Sequence, residues 1–391
     1  MRWTEYPGNT NQRLLCAITA RDRASCTRIQ TSARTALTVS KTHHSAKQRD
    51  PRSFSNHPAL GLDNAISSFF ESNTTATRQQ CDDFALSRAG GQANPVQIQG
   101  AFSYTLTAGT NKLKVFQFRV EDSSLNMDIM GLAKAVYPQF VAGCKYYGTI
   151  GSSRLLYVYE MDKIPGTAYI MARNISVGQP SDSAFLQRRT VKDLASFFAQ
   201  SWNSSQQLCP DDTAALFAEF HSKLDLLAIS LPSRFTSNLT RVRQHLPALF
   251  SGAFPFVLNH GDLNEMNLLV NPETGNITRI VDWAEARILP FGFSIWGLEN
   301  VLGYMDSEGW RYYDNHRELE SIFWQTFLGE ARNASDTDLQ LIRAARMAGL
   351  FCRYGFIVDG KAILGVVDQN DASSLAYLDA FCIADDWVTA T

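Results

Sequence analysis

The sequence predicts an α+β protein in which a small lobe built around a β-sheet precedes a larger, mainly helical lobe. In two stretches, 96–107 and 113–120, apolar residues alternate with polar ones, and the turn-rich segment 108–111 between them predicts a β-hairpin. Beyond residue 166 the apolar residues recur mainly at helical spacing. The helices predicted there span 183–202, 212–229, 237–249, 310–327, 336–351 and 372–383, with short strand-like pieces at 267–270 and 277–281.

The first lobe contains two further predicted helices and another strand. A helical pattern over 75–89 ends at Gly90, a residue type that commonly follows the last turn of a helix. A second helix over 125–137 stops before Pro138. The Leu, Tyr and Val content of 154–161 predicts a strand. The small antiparallel sheet is therefore expected to carry helices of its own.

The composition is that of an ordinary globular protein. The 391 residues are 45% apolar and 19% charged, and their mean hydropathy is -0.17. This excludes a disordered, collagen-like or disulfide-stapled chain. The seven cysteines are scattered and never spaced as C-x-x-C, which favours reduced thiols in an intracellular protein and offers no zinc template. No apolar run approaches the roughly 18 residues of a membrane helix.

The net charge of -2 is the sum of two unlike parts. Residues 1–60 carry a charge of +7 and the remainder carries -9. An acidic body without a basic stripe gives no attraction for nucleic acid or an anionic membrane, so neither partner is expected. Residues 1–60 are rich in Arg, Ser and Thr and predict an unpacked extension, although this composition also resembles a mitochondrial transit peptide. We expect a cytoplasmic protein with lobes at 61–162 and 163–391, and mitochondrial targeting stays open.

The chemistry is concentrated in the segment 257–270, which reads VLNHGDLNEMNLLV. Asn267 follows Asp262 by five residues, and Asp282 follows Asn267 by fifteen. The turn 271–276 between the two strand-like pieces would fold Asp282 back beside Asn267. Oxygen ligands of this kind suit Mg²⁺, which completes its shell with water and substrate phosphates. A carboxylate placed just before them can accept a proton from an attacking hydroxyl, as phosphoryl transfer requires.

This pattern resembles a known family. The run from His260 to Asn267, followed by Asp282 and Trp283, resembles the catalytic loop and metal motif of the aminoglycoside phosphotransferase and choline kinase-like family, relatives of the protein kinases. The similarity extends over about 96–327, with fungal members of uncertain substrate as the nearest likeness. It implies a bilobal protein kinase-like fold with ATP between the lobes. It also implies that Asp262 is the catalytic base, that His260 orients the loop, and that Asn267 and Asp282 bind Mg²⁺.

The phosphate-covering loop of the family falls on 99–104. Gly100 would let the backbone approach phosphates closely, and Ser103 could donate a hydrogen bond to one of them. A single glycine in a hairpin is also explained by a turn alone.

On the next strand the family expects a lysine, sometimes an arginine, that holds the α- and β-phosphates. Here Gln117 and Arg119 share one face of the strand, so either could point at the nucleotide. This departs from the family pattern. Asp128 on the following helix could pair with that cation or could simply be a solvated helix residue.

The segment 159–162 resembles the family's hinge. Backbone groups at Glu160 would hydrogen-bond adenine and Met161 would line the ring, although a strand alone explains these residues equally well.

Several residues bear on the acceptor. Glu265 could tune the base or meet a positively charged or polyhydroxyl substrate, or it could be an exposed loop carboxylate. Trp296 and Trp310 could wall an acceptor pocket, with the core as the alternative. The acidic excess over 301–330 would favour a cationic acceptor, although exposed helices often carry such charge.

Together these features predict an ATP- and Mg²⁺-dependent phosphotransferase that acts on a hydroxyl of a small molecule. A non-catalytic, nucleotide-binding pseudokinase is the alternative, because the phosphate loop is irregular and the lysine is missing. A protein kinase is disfavoured, since the loop reads His-Gly-Asp and Asp282 is followed by Trp283. The acceptor, the choice of ATP or GTP and the oligomeric state are not fixed by the sequence.

Overall fold

The structure, a computed structural model, describes residues 58–175, 180–359 and 362–382. The predicted extension 1–60 therefore lies outside the described residues except at its end, where helix α1 (Pro58–Asn73) begins. Helix α2 (Arg78–Ala89) starts at a capping box formed by Thr77 and Gln80 and ends at Gly90, as predicted.

A five-stranded antiparallel sheet follows, with strand order β1-β2-β3-β5-β4. The predicted hairpin is confirmed, but its first strand starts seven residues later than predicted. The reason is that the Gln99 side chain bonds the backbone of Val96 and Thr105, which turns 96–102 into a loop. Strand β4 was not predicted. The strands are β1 (Asn94–Pro95), β2 (Ser103–Ala108), β3 (Lys114–Val120), β4 (Cys144–Ile150) and β5 (Leu156–Asp162).

The sheet is covered on both faces. Phe116 and Phe118 on β3 are buried in a core that α1 and α2 share with Tyr104. On the other side, helix α3 (Met127–Val136) belongs to the larger core of the helical lobe, together with Tyr159 of β5. The Tyr159 hydroxyl accepts a hydrogen bond from the Leu125 N–H at 3.0 Å, which ties the start of this helix to the sheet.

The second lobe is mainly helical, as predicted, with more strands than expected. The predicted start of a helix at residue 310 is wrong, because Trp310 lies in a β-hairpin and its ring contacts Phe381 at 4.8 Å. The helices are α4 (Tyr169–Ile175), α5 (Pro180–Trp202), α6 (Pro210–Ser230), α7 (Thr236–Leu249), α8 (Glu299–Leu302), α9 (His316–Glu330), α10 (Asp336–Tyr354) and α11 (Ala372–Cys382).

Small antiparallel ladders frame one loop of this lobe. The loop is 260–267. The strand before it, 256–259, pairs with 287–290, and the strand after it, 268–270, pairs with 277–280 and with 167–168. The strands of this lobe are β6 (Thr167–Ala168), β7 (Phe256–Asn259), β8 (Leu268–Val270), β9 (Ile277–Ile280), β10 (Arg287–Pro290), β11 (Gly303–Asp306), β12 (Gly309–Tyr312), β13 (Phe356–Asp359) and β14 (Ala362–Val366). The described helices include none with the length and apolarity of a membrane span.

Candidate active site

The loop 260–267 connects β7 to β8, and its shape depends on a glycine. Gly261 has φ +83, and a Cβ built on it would lie 2.4 Å from the backbone oxygen of Glu285. Any side chain at this position would meet both a strained backbone and a collision with the main chain. The fold therefore requires glycine between His260 and Asp262.

His260 fastens the loop to the segment that carries Asp282. Its buried ring places Nε2 2.9 Å from the Val281 carbonyl, while Nδ1 accepts the Asp262 N–H at 3.3 Å. Burial lowers the pKa of His260. The neutral imidazole with its proton on Nε2 satisfies both contacts. The ring therefore holds the loop in position relative to Val281.

Asp262 is held by three side chains. Its Oδ1 accepts a hydrogen bond from Asn264 at 2.9 Å and forms an ion pair with Nη2 of Arg353 at 2.6 Å. Its Oδ2 accepts one from Nδ2 of Asn267 at 3.0 Å. The structure thus brings Asp262 and Asn267 into direct contact.

Asp282 returns to Asn267 by the predicted route. In the β8-β9 ladder Leu268 pairs with Ile280, and the Val281 N–H donates to the Asn267 carbonyl at 2.9 Å. Asp282 itself has φ +64, a left-handed conformation that Asp tolerates better than most residues. This turn out of the strand leaves its side chain 38% exposed beside the loop.

The donor set at this point fits a magnesium ion. Because Nδ2 of Asn267 is committed to Asp262, its Oδ1 is left without a hydrogen-bond partner among the described residues. Among the described residues, the Asp282 carboxylate accepts a hydrogen bond at Oδ1, from Arg119, and none at Oδ2. One amide oxygen and one carboxylate oxygen are the kind of incomplete set that Mg²⁺ completes with water and phosphates. The described part of the chain contains no cluster of three or more His, Cys, Asp or Glu side chains that could hold a metal.

Arg119 reaches this centre from the sheet. Its guanidinium is 2% exposed and donates to Asp282 at 2.8 Å, and it also binds the backbone and hydroxyl oxygens of Ser123 at 2.6 and 2.7 Å. Gln117 lies on the same face, as predicted, and its Oε1 accepts from Nη1 of Arg119 at 3.2 Å. Arg119 is thus the side chain of this pair that reaches the centre, and Gln117 supports it.

The predicted pair between this cation and Asp128 is not formed. Asp128 is exposed in the first turn of α3, where its backbone N–H donates to the Asn126 side chain. Arg119 is occupied by Ser123, Gln117 and Asp282, and none of its contacts with described residues involves Asp128.

The candidate phosphate loop lies between β1 and β2, over 96–102. Ser103 is buried and stands opposite Arg119 in the ladder, which places it near the cation. Gly100 is exposed, and its φ is not positive, so the turn does not require glycine for its conformation. A Cβ there would approach the Ser103 hydroxyl to 3.1 Å.

The predicted hinge is displaced along the chain. Glu160 and Met161 lie inside β5, which has β3 on one edge and β4 on the other, so their backbone groups are enclosed by the sheet. The Glu160 carboxylate contacts Lys114 at 3.1 Å and Tyr147 at 2.8 Å. A base could reach backbone groups only in the segment that follows β5.

The residues considered for an acceptor pocket are engaged elsewhere. Glu265 is part-buried and pairs with Arg173 at 3.4 Å. Trp296 is 2% exposed and Trp310 packs on α11, so both rings belong to the interior.

Two arginines were not identified from the sequence. Arg353, in the last turn of α10, contacts Asp262, and its signal is an arginine on the same stripe of the helix as buried Ile342 and Gly349. Arg279 on β9 is 4% exposed, and its Nε and Nη1 have no hydrogen-bond partner among the described residues. In the ladder it stands opposite Leu269, on the face away from the core pair Leu268 and Ile280.

A sheet-bearing lobe, a helical lobe and a His-Gly-Asp loop joined to a second aspartate define an α+β protein of the protein kinase-like fold. The model of the phosphotransferase enzyme family (APH) matches residues 133–316, just under half of the chain, and this segment includes Asp262, Asn267 and Asp282. The predicted resemblance to this phosphotransferase family is confirmed over that segment. The likeness to fungal members stays a prediction.

Among solved structures, the chain is similar to the GDP complex of aminoglycoside 2'-phosphotransferase-IIIa, with 16% identity, 75% of this chain and 89% of that chain covered, and a TM-score of 0.44. The chain is also similar to the complex of the Streptomyces rimosus aminoglycoside phosphotransferase APH(3'')-Id with ADP and streptomycin. The identity is 16%, the match covers 68% of this chain and 96% of that chain, and the TM-score is 0.42. A third similar structure is the macrolide 2'-phosphotransferase MphH from Brachybacterium faecium. The identity is 14%, the match covers 71% of this chain and 91% of that chain, and the TM-score is 0.41. No curated protein matches the sequence significantly.

Proposed function

We propose that this protein is an ATP- and Mg²⁺-dependent phosphotransferase that transfers the γ-phosphate to a hydroxyl of a small molecule. The observation that carries the proposal is the direct contact of Asp262 with Asn267 and the ladder that brings Asp282 to the same place. A base, an amide oxygen and a second carboxylate are the groups that this reaction needs from a protein. The match of the phosphotransferase family model over this segment supports the same class of reaction.

Each residue has a defined role in the proposed reaction. Oδ2 of Asp262 would orient the acceptor hydroxyl and receive its proton, since Oδ1 already accepts a hydrogen bond from Asn264 and pairs with Arg353. Asn267 and Asp282 would hold Mg²⁺, which when bound neutralises phosphate charge. Arg119 would hold Asp282 in place from the sheet side, because its buried guanidinium is already occupied by Asp282, Ser123 and Gln117. Ser103 opposite it would offer a hydroxyl to the phosphates. His260 would keep the loop in place through Val281.

The test is a metabolite-library screen for ADP release with Asp262→Asn protein as the blank. Removing the base should lower kcat by about 10² to 10⁴-fold. Asp282→Ala should abolish Mg²⁺-dependent turnover while the protein stays folded. Asp379→Asn, which changes an exposed carboxylate paired with Arg234, is the matched control and should leave turnover unchanged. Full turnover in folded Asp262→Asn protein would contradict the proposal.

The same experiment separates the pseudokinase alternative. A non-catalytic scaffold would bind ATP in a thermal-shift assay but would show no ADP release that depends on Asp262. Slow hydrolysis of ATP that the Asp262→Asn change removes would exclude it.

A further inference from the structure

Arg353 contacts the proposed base from outside the catalytic loop. It lies in the last turn of α10, beyond the segment that the family model matches. Its Nη2 is 2.6 Å from Oδ1 of Asp262, and its guanidinium lies over the Trp296 ring at 5.2 Å from the centroid. The side chain is 31% exposed and that of Asp262 is 20% exposed, so the pair lies at the edge of the solvent.

This contact determines which oxygen of Asp262 is available. Oδ1 accepts a hydrogen bond from Asn264 and pairs with Arg353, whereas Oδ2 accepts a hydrogen bond from Asn267 and from no other described residue. An ionised carboxylate has about four lone-pair sites, so Oδ2 keeps capacity for the acceptor hydroxyl. Because Trp296 is buried, the surface under the guanidinium is fixed, and Arg353 therefore fixes Asp262 in turn.

Two carboxylates of the helical lobe are already paired with the chain's own arginines. Glu265 pairs with Arg173, and the buried Glu299 pairs with Arg346. Arg346 precedes Arg353 by two helical turns on the same face of α10, about 10.5 Å along the axis. Glu285 lies 3.9 Å from Arg353, so this more exposed carboxylate also has a cation beside it. An ammonium group that bound one of these carboxylates would therefore have to displace a guanidinium.

We propose that Arg353 is the acceptor-side positioning residue of this site, and that the acceptor it admits carries no net positive charge. The inference rests on the proposed function. Arg353 holds Asp262 in one orientation, and its positive charge beside the base repels ammonium groups and suits hydroxyl, carboxylate or phosphate groups next to the reacting hydroxyl.

The first test compares Arg353→Met and Arg353→Lys with the unchanged protein in ATP hydrolysis and acceptor phosphorylation. Arg353→Met should lower kcat by about 10 to 100-fold, because a misplaced reacting group costs about that factor, while the dissociation constant for ATP stays within about twofold. Arg353→Lys should recover part of kcat, since it restores the charge without the planar fork. Arg343→Met is the control on the same helix, because Arg343 forms no hydrogen bond or ion pair with the described residues.

A merely structural role predicts a different result. It would lower the Tm of Arg353→Met and leave the kcat of the folded fraction unchanged, which would overturn the proposal. The failure of the proposed function is distinct, because then the unchanged protein itself would show no turnover that depends on Asp262.

The second test needs no variant. The initial rates of the unchanged protein are measured with kanamycin as a polycation, glucose as a neutral polyol, and gluconate and glucose 6-phosphate as carboxylate and phosphate probes. Summed over glucose, gluconate and glucose 6-phosphate, kcat/KM should be at least about tenfold higher than kcat/KM for kanamycin. A phosphate or carboxylate compound without a hydroxyl should act only as an inhibitor. A kcat/KM for kanamycin that equals or exceeds the others would overturn the proposal.

Discussion

Arg119 of strand β3 donates a hydrogen bond to Oδ1 of Asp282 at 2.8 Å, and this single contact joins the sheet of the first lobe to the metal-type motif of the second. The two residues are 163 positions apart in the chain. The Arg119 side chain is almost fully buried, whereas that of Asp282 is 38% exposed. The carboxylate of this pair is therefore the group that the solvent reaches.

Replacing Arg119 by Met should weaken nucleotide binding more than it weakens the fold. The substitution keeps the apolar stem and removes the donors to Asp282 and Ser123. We expect the dissociation constant for Mg²⁺-ATP to rise about tenfold, with Arg119→Lys intermediate, as measured by titration calorimetry. Gln117→Leu, which removes the supporting side chain, should have the smaller effect. Equal affinities for all three variants would contradict the role of Arg119 in positioning Asp282 for the nucleotide.

Gly261→Ala should destabilise the protein and the loop together. A Cβ at φ +83 would lie 2.4 Å from the Glu285 oxygen, so the free energy of unfolding should fall by about 2 kcal/mol or more. The matched control is Gly131→Ala in α3, where a Cβ meets nothing within 4 Å. That change should raise stability by up to about 1 kcal/mol. Denaturant unfolding of both variants measures the difference, and a neutral Gly261→Ala would show that the loop tolerates side chains.

His260 should make stability depend on pH below neutrality. Burial lowers its pKa in the folded protein, so the unfolded chain binds the proton more readily. The contribution is present above the unfolded pKa of about 6.5 and is lost as the pH falls below it, by at most about 1.4 kcal/mol per pH unit.

The measurement is denaturant unfolding from pH 8 to pH 5. His260→Gln should flatten the acid decline, whereas His221→Gln, at an exposed histidine beside Asp225, should retain it. If both variants decline like the unchanged protein, His260 is not the titrating group.

Arg279 and Arg287 lie on β9 and β10, which follow one another in the chain, and they contrast an unpaired arginine with a paired one. Burial lowers the pKa of Arg279, and its Nε and Nη1 have no described partner. Arg287 instead forms a fork with Glu219 at 2.9 and 2.7 Å.

We therefore expect Arg279→Met to raise the free energy of unfolding by about 1 to 3 kcal/mol, because buried unpaired donors are costly. Arg287→Met should lower it by about 1 kcal/mol. Thermal unfolding of the two variants checks the opposite signs, and a loss of stability in Arg279→Met would show that its donors are satisfied.

Local patterns in the sequence were enough for several features of the site. Alternation placed Gln117 and Arg119 on one face, and the structure joins them by a hydrogen bond. The turn 271–276 predicted that Asp282 would fold back to Asn267, and the β8-β9 ladder does this. These predictions succeed because strand alternation and hairpin closure depend on neighbours within about twenty residues.

Other features depend on partners that are distant in the chain. Trp310 sits in a strand because its ring packs on Phe381, which overrides the helical pattern of the surrounding residues. Asp128 was expected to meet the cation of β3, but the start of α3 keeps it at the surface and leaves that cation to Asp282.

The sequence by itself determined the two-lobe order, the spacing of Asp262, Asn267 and Asp282, and the family resemblance that these residues carry. Only the tertiary structure decided which charges are free to act. Arg353 follows Asp262 by 91 residues and reaches its Oδ1 through the packing of α10, and Arg119 crosses from the other lobe to Asp282. The physical reason is that a motif fixes the geometry of its own loop, whereas the electrostatic surroundings of that loop are set by elements that meet it only when the chain has packed.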